Sequence, residues 1–345
     1  MTAENQVVQH TQVGDRTLAW SAVGSGTPLV IGGWWASHLA LNWEDRAFQQ
    51  FVRALARRHT VIRYDRPGTG LSDRDGPPPV SLGEELAALA GFLEIIDHPR
   101  LSVLGASAGS AVASAYAAQN PERVDRLVLY GSYPRGADIA SPSARELMVS
   151  IVESQWGLGS RILADVFLPT ATATDREDFA RFQRRSASPE AAAQALRAVY
   201  EMDSTAHLSR VRVPTLVLHR RDDRAIPFAL GRAVADTVPG ATFVELDGEN
   251  HFPWLGDSLA VVDAIERFLD GLPQRSPAEQ HTPAALTVRE REVLALVAQG
   301  LTDAQIAARL VLSAHTVHRH VANARTKLGV PSRAAAAAWV LTHPR

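Results

Sequence analysis

Short apolar runs rich in β-branched residues alternate with segments of helical periodicity along most of this chain. The runs read PLVIGG, TVIRYD, LSVLG, RLVLYG, PTLVLH and TFVEL, and residues 46–58, 81–96 and 108–119 are helical segments between them. Buried strands in alternation with helices predict a mostly parallel sheet that helices cover on both faces. The predicted fold class is therefore α/β.

Two stretches interrupt this alternation. Residues 134–208 are helical in pattern without an intervening strand, which predicts a helical cap inserted into the α/β domain. Residues 271–285 contain three prolines and no apolar periodicity, which is typical of a linker. We therefore expect an α/β domain at 1–272 with its cap at about 134–208, a linker at 273–284 and a second domain at 285–345.

The composition excludes several classes of protein. The 345 residues include no cysteine, which rules out a disulfide scaffold, a thiolate metal site and a cysteine nucleophile. The first residues lack the basic start and apolar stretch of a secretion signal, and no run approaches the ~18 apolar residues of a membrane span. We expect a cytoplasmic protein without a membrane partner, without a cofactor and without a metal.

The net charge of −2 hides an uneven distribution. Eight Lys and Arg against three acidic residues give residues 285–345 a charge of +5, which leaves −7 for residues 1–284. A basic tail on an acidic body predicts a module that binds a polyanion.

The pentapeptide Gly105-Ala106-Ser107-Ala108-Gly109 lies between the apolar run LSVL and the helical run ASAYAAQ. A serine on such a tight strand-to-helix turn has a strained backbone, and glycines two residues to either side avoid the clashes that the turn creates. This context predicts that the Ser107 hydroxyl is a nucleophile. The Ala108 amide at the start of the helix would stabilise an oxyanion.

Residues 5–272 resemble α/β-hydrolases, because a serine, an acid and a histidine follow one another in the chain order of that family. Asp223 comes just after the run PTLVLH, His251 follows TFVEL, and the turn DRPGTGLS after TVIRY resembles the family's D-x-x-G-x-G-x-S. The resemblance implies a catalytic triad of Ser107, Asp223 and His251. It also implies an oxyanion hole formed by the amides of Trp34 and Ala108.

The chain departs from the family pattern at two places. It has Gly32-Gly33 where many members have His-Gly, and Arg220 where a glycine is common after the strand that carries the acid. Both departures bear on the shape of the pocket and leave the triad intact. Three alternatives stay open: Asp222 is the acid while Asp223 only caps the next helix, His251 is a hydrogen-bonded surface histidine, or the triad is an inert relic that recognises a ligand.

Aromatic residues are frequent in the segments that meet at the mouth of an α/β-hydrolase cleft. They lie on the predicted oxyanion loop, in the cap and just after the triad histidine. The residues predicted to line a ligand pocket are Trp35, Trp43, Trp156, Phe252 and Trp254. Such a pocket favours an apolar or aromatic ligand, and the alternative is that each tryptophan is an ordinary core residue.

Residues 286–341 read as four helices with clear boundaries and an apolar stripe that would form one small core. Helix, short turn and helix in a unit of this size predict a helix-turn-helix arrangement. The residues that mark the helix ends are Thr287 with Glu290, Thr302 with Gln305, Gly300, Ser313, Gly329 and Pro331.

The tail from LTVREREVL to TKLGV closely resembles the DNA-binding domain of LuxR-type transcription regulators. The predicted architecture is thus an α/β-hydrolase fold with a helical cap, plus a C-terminal all-α four-helix LuxR-type domain. In that family the third helix enters the major groove of double-stranded DNA. The residues implied at base edges are His318, Arg319 and Ala322, and those implied at phosphates are Thr316, Arg325 and Lys327. The alternative for Arg319 is that its side chain is only exposed to solvent and contacts no base.

The tail carries two further expectations. His315, His318 and His320 do not form a metal site, because His320 points away from the other two on a helix and no carboxylate is near them in sequence. The alanine-rich fourth helix has an apolar face, and such a helix dimerises in the resembled family. This implies a homodimer on a twofold operator.

Two functions from different classes fit these features. The first is a DNA-binding transcription regulator that senses a small apolar ester- or lactone-like ligand in the α/β-hydrolase pocket, with or without slow hydrolysis. The second is an active carboxylic-ester or lactone serine hydrolase with an accessory DNA-binding domain. The first is favoured, because the sequence has no receiver domain with a phosphorylatable aspartate and the pocket is left as the input.

Overall fold

The computed structural model describes residues 6–76, 78–275, 286–310, 312–328, 330 and 332–343. Most of the predicted linker lies outside the described residues, as do Gly329 and Pro331. Contacts between Cα atoms divide the chain into two compact units, Met1–Gln274 and Arg275–Arg345.

An eight-stranded sheet forms the centre of the first unit, in the order β1-β2-β4-β3-β5-β6-β7-β8. The pairs β1–β2 and β2–β4 are antiparallel and every other neighbouring pair is parallel. The strands β1 to β8 are Val8–Val13, Arg16–Val23, Thr27–Ile31, His59–Tyr64, Leu101–Ala106, Val124–Tyr130, Thr215–Arg220 and Thr242–Leu246. The predicted mostly parallel α/β sheet is confirmed, and β3 to β8 coincide with the six apolar runs.

The first two strands were not predicted from the sequence. The segment VQHTQV of β1 forms the edge of the sheet and has no buried residue, so it lacks the apolar run that identifies the central strands. In β2, half-buried residues alternate with buried ones, which dilutes the apolar signal in the same way.

Helices cover both faces of the sheet, as the alternation predicts. The helices α1 to α4 are Leu39–Glu44, Arg46–Ala56, Leu82–Ile95 and Ala108–Gln119, and α10 and α11 are Phe228–Thr237 and Ser258–Leu269. Side chains of α2 and α11 pack against one face, and side chains of α3, α4 and α10 pack against the other. Successive strand residues alternate between these two cores; Leu104 lies in one and Val103 in the other.

Five α-helices and one short 3-10 helix, Gly136–Asp138, lie between β6 and β7 and form the predicted cap. The helices α5 to α9 are Pro142–Ser154, Trp156–Phe167, Ala173–Ser186, Pro189–Glu201 and Thr205–Leu208. The apolar faces of α5, α6 and α8 form a separate core that includes Trp35 from the loop after β3 and Ala108 from the start of α4. The cap therefore packs directly on the turn that carries Ser107.

In the described part of the second unit, four helices bury one small core. The helices α12 to α15 are Val288–Ala298, Asp303–Leu310, Ala314–Leu328 and Arg333–Thr342. Side chains satisfy free amides at their starts, because Thr287 and Glu290 form a reciprocal capping box and Ser332 accepts from the Ala335 amide. The predicted all-α domain with helix-turn-helix order is confirmed.

Among the described residues, we find no helix with the length and apolar character that crossing a lipid bilayer requires.

Candidate active site and DNA-recognition helix

The turn between β5 and α4 places Ser107 in an uncommon backbone conformation. Its φ of 52° and ψ of −125° lie outside the regions that L-residues favour, and its amide donates to Tyr130 O at 2.9 Å. Gly109 has no room for a side chain, because an added Cβ would lie 2.7 Å from Gly33 O. An added Cβ on Gly105 would lie 2.6 Å from the Ala113 Cβ. Both glycines of the pentapeptide therefore allow close packing around the serine.

Asp223 follows β7 and is buried beside His251. Its Oδ2 accepts from His251 Nδ1 at 2.8 Å, and its Oδ1 accepts from the amides of Ala225 and Ile226 at 2.9 and 3.1 Å. Asp223 thus contacts the histidine and also stabilises the turn before α10. Asp222, the other candidate acid, is exposed.

The surroundings of Asp223 keep its carboxylate ionised. Burial raises the pKa of the Asp223 carboxyl, but the charge and hydrogen bond of His251, together with the amide of Ile226, outweigh burial and hold the pKa below its usual range. An ionised carboxylate can only accept, so His251 Nδ1 carries the proton of this bond. In a neutral ring this leaves the lone pair on Nε2, which is the tautomer that a general base requires.

A second histidine lies near the same carboxylate oxygen of Asp223. His219 Nε2 is 3.7 Å from Asp223 Oδ2 and donates to the carbonyl of Ile226 at 2.9 Å. Burial lowers the pKa of His219, so its ring is neutral at neutral pH. Sequence analysis did not identify this residue, because a histidine inside the apolar run PTLVLH reads as part of a strand.

The cap contacts the loop that carries His251. The amide of His251 donates to the carbonyl of Phe167, the last residue of α6, at 2.9 Å, and the two rings stack with centroids 5.4 Å apart. The Asn250 side chain donates to Thr170 Oγ1 at 2.8 Å. These cap residues were missed, because Phe167 precedes His251 by more than 80 residues and no local motif connects them.

A buried arginine fixes the loop that contains Trp34. Arg66 Nη1 donates to the carbonyls of Trp34 and Trp35 at 3.2 and 3.0 Å, and the same guanidinium forms a buried ion pair with Glu85 of α3. Arg66 belongs to the turn DRPGTGLS, which the sequence analysis identified. The sequence did not indicate that this arginine contacts the loop of Trp34 and Trp35. That the Trp34 and Ala108 amides bind an oxyanion stays a prediction.

The aromatic residues predicted for the pocket fall into two groups. Trp35 and Trp156 pack edge to face in the cap core, with centroids 6.2 Å apart. Phe252 and Trp254 stack at 4.6 Å in the sheet core. Trp43 packs against that second core beneath the guanidinium groups of two arginines. The single aromatic cluster that the sequence suggested is thus divided, and only Trp35 and Trp156 share a core with Ala108.

In the second unit, α14 is the third helix and has one buried and one exposed face. Val317, Val321, Ala324 and Leu328 pack into the core. The residues predicted to meet base edges, His318, Arg319 and Ala322, are all exposed. The Thr316 hydroxyl lies near the start of α14, 2.8 Å from Ser313 Oγ.

The two remaining predicted phosphate contacts are less exposed. Arg325 is half-buried on α14. The Lys327 ammonium donates to Glu290 Oε2 at 2.6 Å, and the two side chains are only 14% and 4% exposed. Burial raises the pKa of Glu290, but the hydrogen bonds from Lys327 and Thr287 hold it below its usual range. Because Lys327 pairs with a carboxylate inside the domain, this placement favours a structural role over a phosphate contact.

Comparisons with known proteins agree with both units. The alpha/beta hydrolase family model matches residues 29–264, and the model of the luxR family of bacterial regulatory proteins matches residues 284–340. A putative carbamate hydrolase from Pseudomonas syringae is 27% identical over 284 residues, which cover 79% of this chain and 100% of that protein.

Two further proteins resemble the first unit. A pimeloyl-acyl-carrier-protein methyl ester esterase from Xanthomonas campestris is 29% identical over 262 residues, which cover 73% of this chain and 98% of the esterase. The solved structure of an enol-lactonase from Burkholderia xenovorans aligns with a TM-score of 0.64 at 24% identity, over 76% of this chain and 100% of the lactonase. The structural likeness supports the α/β-hydrolase fold.

Proposed function

This chain belongs to the alpha/beta hydrolase family and carries a C-terminal domain of the luxR family of bacterial regulatory proteins, and from that premise we propose a transcription regulator that senses a small apolar ester or lactone. The observation that carries the proposal is the presence, in one chain, of a buried Asp223–His251 pair, a strained serine turn and a helix with an exposed face in the luxR-family domain. We propose that the regulator is a homodimer on a twofold operator.

Exposed side chains on α14 support the part of the proposal that concerns DNA. A guanidinium can form a bidentate pair with guanine in the major groove, and an imidazole can bond to base edges, so Arg319 and His318 would supply sequence preference. Thr316 near the start of the helix, and Arg325, would contact phosphates. Lys327 is left out of this proposed surface because of its bond to Glu290.

The cap core supports an apolar ligand. Trp35 and Trp156 pack in the same core as Ala108, whose amide follows Ser107. The hydroxyls of Ser132 and Tyr133 are buried near that core and have no hydrogen-bond partner among the residues that the structure describes. Buried hydroxyls are normally bonded, so these two are candidate contacts for the oxygen atoms of an otherwise apolar ligand.

The triad would allow slow hydrolysis of such a ligand. His251 Nε2 would accept the Ser107 proton as the serine oxygen attacks the carbonyl carbon, and the tetrahedral oxyanion would be stabilised by the amides of Trp34 and Ala108. Collapse would break the bond between the carbonyl carbon and the alcohol oxygen, release the alcohol with the proton from His251, and leave the acyl group on Ser107. Water would then free the acid by the same steps in reverse order. Two relatives described as a carbamate hydrolase and a methyl ester esterase support this carbonyl chemistry.

The decisive experiment measures thermodynamic coupling in the full-length protein. An operator is first selected from random duplex DNA, and the Ser107→Ala variant is then titrated with a set of aryl esters and γ-lactones, with and without that operator. The proposal expects at least one compound to change operator affinity by about 5- to 150-fold, and reciprocity requires the operator to change the affinity for the compound by the same factor.

A second candidate function is a working ester or lactone hydrolase with an accessory DNA-binding domain. The observation that favours it is the Asp223–His251 bond of 2.8 Å, because an inert relic would not need the histidine oriented. Equal ligand affinities with and without operator, together with rapid turnover by the wild-type protein, would favour this function over sensing.

A further inference from the structure

Three arginines lie close together at the end of β7 and just after it, in the sequence RRDDR, and one of them has a different environment from the other two. Arg221 and Arg224 extend into solvent and pair with Glu245 and Glu249 at 2.5 and 2.6 Å. Arg220, the last residue of β7, is instead only 1% exposed. Its partners are main-chain carbonyls, and no ion pair joins it to a carboxylate within the described ranges.

Those carbonyls lie on both sides of the triad histidine. Arg220 Nη1 donates to the carbonyl of Asn250 at 3.0 Å, one residue before His251, and Nη2 donates to the carbonyl of Leu255, four residues after it. One planar guanidinium thus bonds to both ends of a six-residue segment. Its rigid geometry fixes the two carbonyls relative to each other, which a flexible ammonium would not do.

Two glycines of the same loop lie next to this side chain. Gly248 and Gly256 both have positive φ, at 116° and 66°, which favours glycine, and an added Cβ would lie 3.5 Å from Arg220 Cδ and 3.3 Å from its Nη1. The loop therefore packs against the Arg220 side chain on both sides of the segment that it bonds. A buried cation without a carboxylate partner is costly, so its presence at a position where the family commonly has glycine calls for a compensating role.

We propose that Arg220 is a positioning residue, which holds the 250–255 loop so that His251 is oriented toward the serine. The inference rests on the proposed role of His251 as the base for Ser107. In this arrangement Asp223 fixes the ring through Nδ1, whereas Arg220 fixes the backbone from which the ring projects. The cap contacts of Phe167 and Thr170 hold the same loop from another side.

A matched control exists elsewhere in the sheet. Arg123 also donates to two carbonyls, those of Leu93 and His98, at 3.2 and 3.1 Å, and it precedes β6, whereas Asp223 follows the other end of the neighbouring parallel strand β7. Replacing either arginine by methionine keeps an unbranched apolar stem and removes the charge and the donors. Arg220→Lys keeps the charge but cannot bond both carbonyls in the same plane, and it serves if the methionine variant does not fold.

The first measurement does not depend on reactivity. Hydrogen–deuterium exchange in the full-length protein should become about tenfold faster at amides 249–256 in Arg220→Met, with a smaller increase in Arg220→Lys and none there in Arg123→Met. The ring signal of His251, assigned by loss in His251→Gln, should broaden or shift only in the Arg220 variants.

The second measurement reports the serine. A fluorophosphonate forms a phosphorus–oxygen bond to Ser107 with loss of fluoride, while His251 takes the serine proton. Arg220→Met should slow this labelling by about 10- to 100-fold, because small misplacements of a base have effects of that size, and Arg220→Lys should recover part of the rate. Arg123→Met should label at the wild-type rate.

The inference would be overturned if Arg220→Met had the same amide exchange and the same His251 ring signal as the wild-type protein. It would also be overturned if the loop exchanged faster but Ser107 was labelled at the wild-type rate. If the wild-type protein is not labelled above the Ser107→Ala background, the proposed hydrolytic chemistry fails. In that case the labelling rate gives no information, and hydrogen–deuterium exchange at amides 249–256 together with the His251 ring signal tests whether Arg220 holds the loop and the histidine.

Discussion

The helices at the two candidate sites begin in opposite ways. In the first unit, α4 starts at Ser107 without a side-chain cap, and that residue has a strained backbone. In the described part of the second unit, a side-chain oxygen accepts a hydrogen bond from a main-chain amide near the start of each of the four helices. The accepting residues are Thr287, Thr302, Ser313 and Ser332. A helix start that lacks a cap leaves donors for an anionic group, whereas a capped start contributes to stability.

The difference indicates where each unit places its function. The proposed hydrolase site uses buried groups whose geometry depends on several distant segments, and it accepts backbone strain at the nucleophile. The proposed DNA-recognition helix, α14, presents exposed side chains on a scaffold whose other contacts include helix caps and the Lys327–Glu290 pair. Substitutions at the first site should therefore change reactivity, and substitutions in the second unit should separate into effects on stability and effects on DNA recognition.

The largest expected effect tests the buried site. Asp223→Asn should slow the labelling of Ser107 by a fluorophosphonate by about 10⁴-fold, because an amide cannot hold the histidine tautomer that leaves Nε2 free. Asp222→Asn should leave the rate within about twofold, since Asp222 is exposed. The reverse ranking of the two variants would mean that Asp222 is the acid.

How far the sequence predicted this site depends on the range of its contacts. Ser107, Asp223 and His251 follow recognisable turns, and the structure brings the last two together at 2.8 Å. The supporting contacts from Arg66, Arg220 and Phe167 join segments that are far apart in sequence, so no local pattern indicates them. The division of the aromatic residues between two cores was missed for the same reason, because each segment alone fits either core.

The four-helix unit was easier to predict. Its capping pairs are three residues apart and its apolar positions recur at helical spacing, so most of its contacts are local. The role of Lys327 is the instructive exception. Its partner Glu290 lies two helices earlier, and a lysine on a recognition helix resembles a phosphate contact until that carboxylate is located.

The next expected effect concerns this ion pair. Lys327→Met should destabilise the second unit by about 2–3 kcal/mol, between the values for exposed and fully buried pairs, because it leaves a carboxylate without its cation. The pKa of Glu290 lies below its usual range, so its contribution to stability is present at neutral pH and is lost as the pH falls through that lowered value. Denaturation monitored by exchange in α12 and α15 would measure both effects.

The control for Lys327 is the double variant Lys327→Met with Glu290→Gln, which should recover part of the stability. Loss of DNA affinity without loss of stability would contradict the structural role and return Lys327 to the phosphate contacts.

A smaller effect is expected at the exposed face of α14. Arg319→Ala should cost about 1–3 kcal/mol on the selected operator and much less on unrelated duplexes, because a base contact carries sequence preference whereas phosphate contacts do not. Thermal stability should not change, since the side chain is exposed. Equal losses on all sequences would assign Arg319 to the backbone or to a merely solvated face.

Removal of a cap tests the second half of the comparison. Thr287→Ala should destabilise the second unit by about 1 kcal/mol, because the Glu290 amide loses its acceptor at 3.1 Å. Thr287→Ser keeps the hydroxyl and should be close to wild type. Hydrogen exchange at the first amides of α12 measures the difference, and equal exchange in the alanine and serine variants would show that the cap contributes nothing.

The smallest effect has the opposite sign and lies at the other helix start. Ser107→Gly and Ser107→Ala both remove the hydroxyl, so both abolish labelling, but only glycine accepts a φ of 52° without strain. Glycine in place of alanine normally costs about 0.5–1 kcal/mol, whereas relief of such strain gains about 1–3 kcal/mol. Ser107→Gly should therefore be more stable than Ser107→Ala by about 1 kcal/mol. The measurement is the denaturant midpoint of the first unit, which should be higher in the glycine variant. A glycine variant less stable than the alanine variant would show that the turn stores no strain, and the contrast between the two helix starts would then rest on capping alone.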